Sequence, residues 1–98
     1  MTYYQREKKR LRANRVRNAE LLRALKSKPC MDCGQKYPSY VMDFDHRPGT
    51  EKKFGLKNMG ARSVETILAE VAKCDLVCAN CHRERTHQRQ VVRLLPEA

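Results

Sequence analysis

Ninety-eight residues, a third of them charged and only six aromatic, make one small domain near the lower limit of what an apolar core alone can stabilise. Five cysteines, an odd number, argue against a secreted disulfide framework; no apolar run could serve as a signal peptide or span a membrane, so a reducing cytoplasmic compartment is expected. The formal charge of +10 is uneven, with ten Lys/Arg against two acids in residues 1–28 and eleven against nine in residues 29–98, and such an imbalance favours a polyanion partner over a membrane.

Residues from about Tyr4 to Lys26 lack Gly and Pro and are rich in helix formers. Leu11, Arg15, Asn18, Leu22 and Leu25 fall at helical spacing, but the apolar stripe holds only from Ala19 to Leu25. The second half of this helix is therefore expected to dock, and the first half to project as a basic arm ordered on DNA. Pro29 ends it, which divides the chain into an arm (1–28) and a domain (29–98). Cys30 to Cys33 followed by Gly34 reads as a metal knuckle, with the glycine relieving a tight turn.

Tyr40 to His46 alternates aromatic and β-branched residues with polar ones and is expected to be a strand. Alternation places Val41, Asp43 and Asp45 on one face, and Tyr40, Met42, Phe44 and His46 on the other. Pro48-Gly49 makes a turn, and Lys53 to Leu56 is expected to return as a short second strand. Ser63 is a helix N-cap with Glu65 in the first turn, and Val64, Ile67, Leu68, Val71 and Ala72 form an amphipathic stripe that stops near Lys73-Cys74. A second knuckle, Cys78 to Cys81, leads into a last helix from about His82 to Leu94. The elements sum to a small α+β fold.

Four thiolates suit a tetrahedral zinc ion, and a two-residue gap lets both members of a pair reach it from one turn. Cys30, Cys33, Cys78 and Cys81 are therefore the candidate ligands of one structural Zn2+. The competing reading, a pair of redox dithiols, lacks the surrounding βαβ pattern. Cys74 is left over as a packed thiol.

Cys-x-x-Cys, then Asp-Phe-Asp-His at a strand end, then Cys-x-x-Cys-His-x-x-x-Thr together resemble the HNH endonucleases. Among these the chain is similar to the zinc-stapled ββα-metal subgroup that includes recombination endonuclease VII and many phage HNH proteins. The likeness covers roughly Pro29 to Gln88. It implies a His-Me finger core, hydrolysis of DNA phosphodiester bonds in double-stranded or branched DNA, and a phage-encoded protein with a homodimer or packaging proteins as further partners. By the same likeness His46 is the general base, and Asp45 and His82 hold a catalytic divalent ion (Mg2+, Mn2+, Ni2+ or Zn2+). Where endonuclease VII relatives carry Asn after the last cysteine, this chain has His82, a ligand that favours transition metals. The family's middle Asn has no counterpart before the second knuckle, and Asn80 is the nearest substitute.

The chemistry is consistent with that assignment. Phosphodiester hydrolysis needs an activated water and charge neutralisation at phosphorus, which one divalent metal and one neutral imidazole can supply. Arg10, Arg12, Arg15, Lys53, Arg83, Arg85 and Arg89 are candidate phosphate contacts; Asp43 shares the face of Asp45 and can support it; His87 lies off the His82 face. Each residue also has a plainer reading: Asp45 as a turn cap, His46 as a packed strand histidine, His82 as a first-turn helix residue. The alternative function is a non-catalytic, zinc-stapled DNA-binding accessory protein.

Overall fold

The computed structural model describes residues 1–57 and 59–95. Three helices and a two-stranded sheet follow in the order α1 (Tyr3–Leu25), a 3-10 turn (Ser39–Val41), β1 (Met42–His46), α2 (Val64–Val71), β2 (Cys74–Cys78) and α3 (Ala79–Leu94). The small α+β class expected from the sequence is what forms.

Helix α1 opens with a capping box in which Thr2 and Gln5 satisfy each other's backbone N–H groups. Its only buried side chain is Asn18, which donates to the carbonyls of Gly60 and Arg62 at 3.0 and 2.9 Å. Leu21 and Leu22 pack on the domain, whereas most residues before Asn18 are exposed. The second half docks and the first half projects, as the apolar stripe predicts.

The strands pair antiparallel with Asp43 opposite Val77, Asp45 opposite Asp75 and His46 opposite Cys74. The partner of β1 is thus Cys74–Cys78, and the expected return strand at Lys53–Leu56 does not form. The reason lies in where that segment's backbone goes. The Lys53 N–H donates 3.1 Å to the Glu70 carboxylate instead of joining a ladder, while Phe54, Leu56 and Met59 turn inward as anchors of a loop. Cys74, expected to end α2, begins β2 instead. Ser63 caps α2 as expected, its hydroxyl accepting from the Thr66 N–H at 3.2 Å.

Two small apolar clusters replace a single core. One gathers Met42, Val77, Cys30 and Cys78; the other gathers Leu56, Met59 and Ile67, with Phe44, Val71 and Cys74 against it. Neither is large enough to stabilise a fold on its own, so the first is organised around the cysteines. Helix α3 packs against both strands.

Candidate functional site

The two knuckles meet. The sulfurs of Cys30, Cys33, Cys78 and Cys81 all lie within 4.8 Å of one another, and they are the only group of three or more candidate metal ligands among the described residues. Four sulfurs around one zinc ion at about 2.3 Å stand about 3.8 Å apart, so the cluster fits that ion with small adjustment. Local geometry prepares it. Gly34, at φ +74°, closes the first knuckle with its N–H on the Cys30 carbonyl. The Met31 N–H donates to the Leu76 carbonyl and ties that knuckle to β2. Cys78 is the N-cap of α3, its sulfur accepting from the Cys81 N–H.

The sulfurs also show how a cation could be held there. Burial pushes the Cys30 thiol up, but backbone N–H groups of Cys33, Cys78 and Asp32 outweigh it and bring it down to about 6. Cys81 is pushed up to about 12, first by its hydrogen bond with the Cys78 sulfur, then by burial and the sulfurs of Cys30 and Cys33. Four thiols crowded together cannot all ionise unless a positive ion offsets their repulsion. Cys74 stays outside the group: burial and the charge of Glu70 raise it to about 11, and its S–H points to the Glu70 carbonyl at 3.4 Å.

Next to this clamp, at the start of α3, His82 stands between two carboxylates of β1. Its Nδ1 lies 3.0 Å from Asp43 Oδ2 and its Nε2 lies 3.6 Å from Asp45 Oδ1. A proton on Nδ1 donated to Asp43 leaves Nε2 with a lone pair facing Asp45, the arrangement in which a carboxylate orients a metal-binding histidine. Two ligand atoms each about 2.1 Å from one ion can stand 3.6 Å apart. The pair therefore has the spacing for a cation, with Asp43 as its support.

Asp45 is buried and heavily engaged. Arg89 forks onto it, Nη1 to Oδ1 at 2.9 Å and Nη2 to Oδ2 at 2.7 Å, and Arg85 Nη1 donates to Oδ2 at 3.0 Å. Arg89 first, then Arg85, hold its carboxyl down at about 2 against the cost of burial. Arg85 also donates to Asp75 at 2.9 Å and forks onto Asp32 at 2.6 Å. Asp45 and Asp75 face each other across the ladder, a repulsive cross-strand pair, and the guanidinium of Arg85 between them removes the repulsion. Arg85 and Arg89, read from sequence as phosphate contacts, are thus bound to carboxylates of the domain itself.

His46, expected as the general base, leaves β1 on the face opposite Asp45. Its Nε2 pairs with Glu70 Oε2 at 2.7 Å. It nevertheless shares an open cleft of about 390 Å3 with His82, Phe44 and Lys52. On its other side lies a larger cleft, about 580 Å3, lined by Pro48, Gln88 and three arginines of α3: Arg85, Arg89 and Arg93. Asn80 is exposed in the first turn of α3 and orients nothing among the described residues; Lys53 contributes its backbone N–H. Arg83 and His87 are exposed on α3, Arg12 and Arg15 on α1, and Arg10 pairs with Glu7.

Sequence reasoning missed Glu70 and Asp32. Glu70 had a signal: it lies three residues after Ile67, on the apolar face of α2, where a charged residue needs a partner. His82, Arg85 and Arg89 likewise follow i, i+3, i+7 on one helix face.

No protein-family model, curated protein or solved structure matches this chain. The site must be read from its own chemistry.

Proposed function

We propose that the protein is a metal-dependent endonuclease that hydrolyses DNA phosphodiester bonds. The observation that carries this reading is the close approach of His82 Nε2 to Asp45 Oδ1, beside a cleft that His46 also lines. The antiparallel β1–β2 pair with α3 against both strands supports the reading of a ββα-metal core. In this reading Asp45 and His82 would hold a divalent ion, which would supply charge neutralisation at the phosphoryl group. His46 takes the proton of the attacking water. Exposed Arg93 at the larger cleft, together with exposed Arg12 and Arg15 on α1, gives the phosphate backbone a basic track without reading base edges.

One observation favours the second reading, a zinc-stapled DNA-binding accessory without catalysis. Arg89 and Arg85 already occupy most of the acceptor sites on Asp45, as they would if that carboxylate were purely structural. Supercoiled plasmid incubated with Mg2+, Mn2+ or Ni2+ separates the two. The nuclease nicks it, and His46→Ala lowers the rate by about 10²- to 10⁴-fold while zinc content and DNA binding stay at wild-type values. A protein that retards DNA in a gel yet leaves the plasmid intact in every metal is the accessory instead.

A further inference from the structure

Glu70 is the most deeply buried acid of the described residues, 1 % exposed, and lies in the last turn of α2. A carboxylate in such a place is costly unless its oxygens are satisfied, and they are. Oε1 accepts from Lys73 Nζ at 2.9 Å; Oε2 accepts from the Lys53 N–H at 3.1 Å and faces His46 Nε2 at 2.7 Å. Burial pushes the Glu70 carboxyl up, but Lys73, then His46 and the Lys53 N–H, bring it down to about 2. An ionised carboxylate only accepts, so the proton of the short bond sits on His46 Nε2. When the ring carries that one proton, Nδ1 holds a lone pair, and among the described residues it has no hydrogen-bond partner.

One nitrogen of His46 is held by a buried carboxylate, and the ring lines both clefts. The rest of the surroundings fix the carboxylate itself. Lys73 also donates to the Glu51 carbonyl at 2.8 Å, and Lys53 approaches through its backbone, so Glu70 is anchored from two points of the loop as well as from α2.

We infer that Glu70 is the positioning residue of His46, fixing the ring as the Nε2–H tautomer so that Nδ1 is the nitrogen that receives the proton. The inference rests on the nuclease reading and adds to it the group that orients the base, a place the exposed Asn80 does not fill. In the step itself, an O–H bond of water breaks, its proton passes to Nδ1 and its oxygen bonds to phosphorus. The bond from phosphorus to the leaving oxygen breaks, and that oxygen takes its electron pair and then a proton from solvent water. The imidazolium formed on His46 is stabilised by the negative charge of Glu70, and it returns its proton to solvent.

The zinc-loaded full chain, labelled with 15N, gives the first test. At about pH 8, where an ordinary imidazole is neutral, the two-bond nitrogen–proton pattern of His46 should show Nε2 protonated and Nδ1 bare. The Nδ1–H pattern overturns the inference without reference to activity. The second test is Glu70→Gln, which keeps the size of the side chain and removes its charge. Plasmid nicking should fall about 10- to 100-fold in kcat, with KM for DNA and zinc content unchanged. Glu70→Asp, which restores the charge, should recover part of the rate. Wild-type nicking by Glu70→Gln while His46→Ala is inactive overturns the positioning role and leaves the nuclease standing. No nicking by wild type in any metal overturns the nuclease reading and this role together.

Discussion

Asp45 shows how one residue is set by its neighbours. Its position after Phe44 and before His46 is plain in the sequence, as is its face of the strand, but not that two guanidiniums cover it. Removing the charge leaves Arg85 and Arg89 facing a neutral amide. Asp45→Asn should cost about 1–3 kcal/mol at neutral pH, below the range for breaking a fully buried pair because Arg89 is partly exposed. The pH dependence follows from the direction of its shift. The folded carboxyl titrates near 2, below the ordinary 3.8, so its stabilisation is complete above about pH 4 and is lost as pH falls towards 2. Urea unfolding of wild type and Asp45→Asn in parallel buffers should give a constant gap from pH 7 to about 4 that closes below it. A gap unchanged at pH 2.5 contradicts the assignment.

In the proposed nuclease, helix α1 is one element with two jobs. Its apolar stripe, legible from Ala19 to Leu25, meets the second cluster through Leu21 and Leu22, while Asn18 reaches two carbonyls of the loop before α2. Asn18→Ala removes both hydrogen bonds and should destabilise the docked helix by about 1–3 kcal/mol, seen as faster proteolysis between the arm and the domain. The arm before Asn18 carries six Lys/Arg among residues 1–16. Deleting those sixteen residues should leave zinc binding and the domain's unfolding midpoint unchanged. DNA affinity should fall, and the slope of log K against log salt should drop by up to about 5. An unchanged salt slope would remove the arm from the DNA contact. The loop between β1 and α2 was the element misread. Lys53 to Leu56 has strand-like composition, but its N–H group and apolar side chains are used by Glu70 and by the second cluster, which periodicity does not register.

At the scale of the molecule, the arm makes the chain long: 65 × 30 × 17 Å, with a radius of gyration of 16.9 Å against about 13 Å for a compact chain of this length. No described helix is long and apolar enough to cross a membrane. Among the described residues, two apolar clusters of three or four buried residues leave the four-cysteine cluster, which could hold a zinc ion, to tie β1, β2 and α3 together. Structural zinc is worth on the order of 10 kcal/mol in domains of this kind, as much as the whole stability of a typical small protein. One zinc per chain is expected by elemental analysis, and a strong chelator should abolish cooperative thermal unfolding and the near-ultraviolet signal of Tyr37, which packs on the cysteine cluster. A chelated chain that melts at the wild-type temperature would show the clamp to be dispensable.

What the sequence by itself determined was spacing and periodicity: two cysteine pairs, a capped amphipathic α2, a half-apolar α1, and the face on which each β1 residue lies. These are local properties, carried by turns of two residues and repeats of 2 and 3.6. What only the tertiary structure decided was what stands opposite each face. It paired β1 with Cys74–Cys78, set His82 between Asp43 and Asp45, gave Arg85 three carboxylates to neutralise and closed Glu70 onto His46. Those contacts join residues up to 53 positions apart, and periodicity tells which way a side chain faces without telling what it will meet.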